Sequence, residues 1–126
     1  MQFQADVEGH KINLDIEVEN GGDNHGAKPK PLMMVSLGGC TGIDVVSILK
    51  KMKVEVESFH ILIEAEMTEE HPKVYKSMHV IYEFKGKDLP FDKIERAVEL
   101  SSEKYCGVSA MYKKAFDMTY EIKILH

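Results

Sequence analysis

Positive charge is scarce in this sequence. Its 126 residues hold 16 lysines and arginines against 21 acidic residues, a net charge of -5 at neutral pH, and Arg96 is the only arginine. No basic stripe breaks that balance, which argues against a nucleic-acid partner. Cysteine is scarce as well. Cys40 and Cys106, with 65 residues between them and no Cys-x-x-Cys spacing, resemble neither a zinc site nor the disulfide framework of a secreted domain. In a reducing compartment a structural bridge is not expected, which leaves a reversible dithiol or two unrelated buried thiols. The N-terminus lacks a basic region followed by an apolar core, so a cytoplasmic protein without signal, anchor or membrane partner is expected. His10, His25 and His126 fall on turns and ends and His60 and His79 on strands, so no metal-ligand cluster and no cofactor are expected. Repeats and linkers are absent, and the length fits one domain, 1–126, of a size that often completes its core by oligomerising.

What is present is organised around Pro29 to Lys53. Pro31 suits a first helical turn, and Lys50, Lys51 and Lys53 complement the negative end of a helix dipole, which predicts a helix from about Pro31 to Met52. Leu32, Met33, Val35, Leu37, Ile43, Val46, Ile48 and Leu49 cover most of its circumference, so a buried central helix is expected. The run from Leu32 to Leu49 approaches the length of a membrane span, but Asp44, three glycines and amphipathic flanks oppose that reading. Cys40 lies mid-helix among Gly38, Gly39 and Gly42, each of which weakens a helix interior by roughly 1 kcal/mol relative to Ala. Glycines there serve close packing or leave room for a substrate above a working thiol. Asp44 and Ser47 share the stripe of Cys40. A carboxylate beside a thiol raises the thiol's pKa, so Asp44 reads as the partner of a donor on another element rather than an activator.

In chain order, Phe3, Ala5 and Val7 alternate with polar residues, and after Gly9-His10 the alternation resumes through Ile12, Leu14, Ile16 and Val18. This predicts a hairpin with one dry face and a type II′ turn. Glu19 to Lys28 is a glycine-rich loop without phosphate-loop spacing, read as a solvated loop. Val54 to Met67 and Val74 to Phe84 predict a second hairpin centred near His71, with a change of phase near Ser58. That register sets His60 opposite about Tyr82 and His79 opposite about Ile63. Asp88-Leu89-Pro90 opens a second helix with Phe91, Ile94, Ala97, Val98 and Tyr105 on its buried face. It ends near Cys106-Gly107, and Val108 to Lys114 allows a further helical turn that would set Cys106 near a helix N-terminus. Phe116 to Ile124 alternates as a last strand.

Gly26-Ala27-Lys28-Pro29, the run from Gly38 to Lys51 and Cys106-Gly107-Val108-Ser109 together resemble the OsmC/Ohr family of thiol-dependent peroxidases. The resemblance covers nearly the whole chain. It implies an α+β fold of antiparallel sheets around a long central helix, two chains intertwined as a homodimer, and active sites at their interface. It also implies a two-cysteine oxidoreductase of the oxidative stress response, in which Cys40 attacks an organic hydroperoxide and Cys106 resolves the sulfenic acid as a disulfide. A dithiol reductant of lipoyl or small-thiol type would reset it. Met33, Met34, Leu37, Phe91 and Tyr105 are candidate apolar walls for the hydroperoxide. Two positions depart from the family pattern. Lys30 occupies the place of a supporting glutamate, and the activating arginine from the early chain is missing. The alternative function is a non-enzymatic dimer that binds an apolar or electrophilic small molecule.

Overall fold

In the computed structural model, which describes all 126 residues, β1 (Phe3–Val7) pairs antiparallel with β2 (His10–Leu14). The chain's contacts gather into two units, Met1–Ser36 and Leu37–His126, and each is taken by itself. In the first, the hairpin turn is Glu8-Gly9 rather than Gly9-His10. Both residues have positive φ, 49° and 88°, which makes the turn type I′ and matches the twist of the strands. The expected dry face is not dry: Phe3 is 73% exposed, and Val7 and Ile12 are exposed with it.

β2 also stops before Ile16, and the reason is Asp15. Its buried carboxylate accepts backbone N–H bonds from Ile16 (2.8 Å), Asp23 (3.2 Å) and His25 (3.1 Å), which bends the chain off the strand path into a 3-10 turn at Val18–Asn20. The glycine-rich loop is therefore wrapped on a carboxylate. The His25 N–H above all holds the Asp15 carboxyl below its ordinary range. The returning chain bridges Ala27 to Leu14, and a Cβ on Gly26 would lie 2.5 Å from the Asn13 carbonyl oxygen, so only glycine fits there.

α1 (Leu32–Lys51) begins at the end of the first unit, just after Pro31. It closes with the Val54 N–H on the Leu49 carbonyl and the Lys53 N–H on the Lys50 carbonyl, a Schellman motif with Lys53 in the left-handed region (φ 59°). Within the second unit, Leu37, Thr41, Val45 and Leu49 form its buried stripe at every fourth position. The expectation of burial all round is corrected: Ile43 is 73% and Val46 52% exposed. A helix laid on one sheet face covers one stripe, and nothing in this chain covers the other.

The second unit's sheet has the order β3-β4-β5, from β3 (Ser58–Met67), β4 (Tyr75–Lys85) and β5 (Asp117–Leu125). β3 and β4 are antiparallel, but β4 and β5 are parallel, a correction to the all-antiparallel expectation. The cause is the crossover. α2 (Phe91–Leu100), one π-helical turn at Ser101–Tyr105 and α3 (Gly107–Ala115) carry the chain back to the end where β4 began. The β3–β4 register also differs by one from the expected pairing, with His60 opposite Glu83 and Glu64 opposite His79. An irregularity between Glu66 and Met67 adds the extra residue. α2 buries Ile94, Ala97 and Val98, whereas Phe91 and Tyr105, expected on that face, are about half exposed.

Candidate active site

Both cysteines belong to the second unit, and the fold brings them together. Cys40 sits mid-way along α1, and Cys106 is the N-cap residue of α3, delivered there by the π-turn, whose closing bond runs from the Cys106 N–H to the Ser101 carbonyl at 2.8 Å. The two Sγ atoms and a carboxylate oxygen of Asp44 all lie within 4.8 Å of one another. Both cysteines are free thiols, Cys106 buried and Cys40 partly so. A disulfide between them needs only a short approach of side chains already facing each other.

The N-terminus of α3 points its unpaired N–H groups at this sulfur pair. The Ser109 N–H donates to Cys106 Sγ at 3.3 Å, and the Val108 N–H donates toward Cys40, where it favours the thiolate. Other influences prevail at Cys40. Burial, then the hydrogen bond shared with Cys106, and finally the Asp44 charge push its thiol above the ordinary cysteine range. Within this chain the Cys40 sulfur is not pre-ionised.

Asp44 has the partner on another element that the sequence suggested, for the Ser101 hydroxyl donates to Asp44 Oδ2 at 3.0 Å. Ser101 is the end of a buried chain of hydroxyls. Tyr82 Oη lies 2.7 Å from Thr41 Oγ1, which lies 2.8 Å from Ser101 Oγ. Donor counting fixes the direction. A carboxylate only accepts, so Ser101 spends its proton on Asp44, Thr41 donates to Ser101, and Tyr82 donates to Thr41. Burial pushes the Tyr82 phenol up to about 12, so it keeps the proton that the chain requires. Sequence reasoning missed Tyr82, Thr41 and Ser101, because hydroxyls 41 and 60 positions apart carry no local pattern.

The glycines serve both roles open to them. A Cβ on Gly42 would meet Ile61 at 3.1 Å and one on Gly38 would meet Ile63 at 3.5 Å, so these two let α1 lie close on β3. Gly39 faces open space, and all three glycines line a groove of about 660 Å³ whose walls include Ile43, Val46, Phe59 and Ile61. A second cleft, of about 540 Å³, starts at Asp44 and is lined by Ser47, Lys51, Leu100 and Tyr105 among others. Of the expected apolar walls, Tyr105 lines this cleft, Leu37 is fully buried, and Phe91 lines neither space. Met33, Met34 and Lys30 belong to the first unit. His79 is held by Thr119 at 2.7 Å. One expectation is corrected here: Cys40, Asp44 and Cys106 do form a cluster of metal-ligating side chains, which no spacing in the sequence announces.

Comparison with known proteins follows the same lines. The profile of the family described as OsmC-like protein matches residues 21–121. The chain belongs to the OsmC-like family. The α+β architecture is that of OsmC-like proteins. Among its relatives, Protein YhfA of Escherichia coli K12 is 35% identical over 117 residues, which are 93% of this chain and 84% of YhfA. The crystal structure of a hypothetical protein from Aquifex aeolicus VF5 superposes with a TM-score of 0.82 at 34% identity, covering 99% of this chain and 89% of that one. The organic hydroperoxide resistance protein OhrB of Bacillus subtilis shares the fold alone, at a TM-score of 0.65 and 17% identity over 90% of this chain and 82% of its own.

Proposed function

We propose that this OsmC-like protein is a two-thiol redox enzyme that reduces organic hydroperoxides, with Cys40 as the attacking and Cys106 as the resolving residue. The observation that carries the reading is the meeting of two free thiols, within 4.8 Å, at the N-terminus of a helix. Cys40 sulfur attacks the terminal peroxide oxygen and the O–O bond breaks, leaving Cys40 sulfenic acid and an alcohol that takes the thiol proton. Cys106 sulfur then attacks the Cys40 sulfur, forming the disulfide and releasing water. A dithiol of lipoyl or small-thiol type returns both residues to thiols and becomes a disulfide itself. The part-buried Cys40 meets the peroxide, and the buried, N-capping Cys106 traps the product before it oxidises further.

The working form is a homodimer in this reading. The uncovered apolar side of α1, with Ile43 and Val46 exposed, supports it, because a single chain leaves that surface to water. The name organic hydroperoxide resistance protein, carried by structural neighbours of the same fold, supports the substrate class.

The test is loss of free thiols, followed by mass spectrometry, after one equivalent of an organic hydroperoxide. The parent should lose both thiols rapidly, Cys106→Ser should accumulate oxidised Cys40, and Cys40→Ser should not react. Slow, unselective oxidation of all three would refute the enzyme reading. It would favour a ligand-binding dimer, for which the apolar groove beside Gly39 and the protonated state of Cys40 speak.

A further inference from the structure

Asp44 has no task in that thiol cycle, yet its carboxylate oxygen shares one small space with both sulfurs. We propose that Cys40, Asp44 and Cys106 together bind one divalent, thiophilic cation of the zinc type when the thiols are reduced. Three atoms no more than 4.8 Å apart share a point at about 2.8 Å or less from each, against ~2.3 Å for a Zn–S and ~2.1 Å for a Zn–O bond. Closing that difference takes about 0.5 Å of side-chain movement at each sulfur and about 0.7 Å at the carboxylate oxygen. The donor set of two sulfurs and one carboxylate oxygen selects zinc-like ions over magnesium or calcium, which want oxygen alone.

The surroundings are those of a held ligand set. Cys40 and Asp44 project from one face of α1 at i and i+4, so a rigid helix fixes their separation. Cys106 is fixed as the N-cap of α3. Two of the ligands also have an orienting donor outside the trio: Ser101 hydroxyl to Asp44 Oδ2 at 3.0 Å and Ser109 N–H to Cys106 Sγ at 3.3 Å. The Ser101 hydroxyl is itself held by Thr41 and Tyr82 in the core. Two sulfurs and a carboxylate share one small space, and a divalent cation there supplies the positive charge that lets both sulfurs ionise beside Asp44. Asp44 also borders the 540 Å³ cleft, which leaves the fourth position of a tetrahedral ion to water or a small molecule. Binding replaces two S–H protons, which pass to solvent, and changes no oxidation state.

The test is anaerobic titration of the reduced, chelator-stripped protein with Co(II), whose thiolate charge-transfer and ligand-field bands report donor type and geometry. The parent should saturate at one Co(II) per chain with a tetrahedral spectrum, and zinc should displace it. Cys40→Ser and Cys106→Ser should each lose thiolate charge-transfer intensity. Asp44→Asn should weaken binding by about tenfold or more, at least the loss seen when an outer partner of a ligand is removed. Asp44→Cys should gain intensity from a third thiolate, a signal that a non-ligating position cannot give. Bands in both Asp44 variants identical to the parent's would overturn the site, as would no uptake by a parent whose two thiols titrate as free. No peroxide enters these titrations, so Co(II) binding with slow thiol oxidation would sink only the redox reading, and the converse only this one.

Discussion

Thr41→Val tests the buried hydroxyl chain at its middle. The substitution keeps the side chain's branching and removes one oxygen that accepts from Tyr82 at 2.7 Å and donates to Ser101 at 2.8 Å. Ser101 still has Asp44 as its acceptor at 3.0 Å, so it loses little. Tyr82 is left with a buried O–H and no partner. An orphaned buried hydroxyl costs about 1–3 kcal/mol, so Thr41→Val should destabilise by ~2 kcal/mol. With a urea dependence of ~2 kcal/mol per molar for a chain of this size, the midpoint should fall by about 1 M at fixed protein concentration. Tyr82→Phe in the Thr41→Val background removes the orphan, and the double variant should recover about 1 kcal/mol of that loss. A Thr41→Val midpoint within 0.2 M of the parent, or a double variant weaker than the sum of the singles, would refute the chain as drawn.

Three further outcomes are expected. In chelator-treated protein the rate of hydroperoxide-driven thiol loss should climb about tenfold per pH unit from pH 6 to 8, because Cys40 titrates above its ordinary range and only its thiolate attacks; a flat profile in stopped-flow thiol assays would contradict this. Asp15 is depressed below 3.8 in the folded chain, so its contribution to stability is present above about pH 4 and fades as pH falls through the folded value. Asp15→Asn should therefore lower the urea midpoint at pH 7, with the gap to the parent narrowing below pH 4, and an equal gap at both would count against the carboxylate's role. Gly26→Ala sets a methyl group against the Asn13 carbonyl, which is backbone and cannot swing aside, and should cost about 2 kcal/mol in urea unfolding; an unchanged midpoint would show that the loop has room to shift.

The elements of this protein were legible in its sequence because their signals are local. Pro31 and the lysines at 50 and 51 bound α1, alternation marked the strands, and Cys106-Gly107 marked the break that makes Cys106 a helix cap. The resemblance of the cysteine motifs supplied the family, and the profile match over residues 21–121 established it. Other features depend on what meets across space. The parallel pairing of β5 follows from where a helical crossover sets the chain down, and the one-residue change of register follows from an irregularity at Glu66. The end of β2 depends on Asp15 collecting three N–H groups from a loop that composition alone reads as solvated. At the site, the sequence singled out Cys40, Cys106 and Asp44, and gave Asp44 a donor on another element. Only the tertiary structure decided that Ser101 is that donor, that Tyr82 and Thr41 stand behind it, and that the two sulfurs and the Asp44 carboxylate share one small space. Helical and strand periods act over a few residues, whereas a carboxylate finds its hydroxyl, and a thiol its partner, only when packing has brought distant segments into contact.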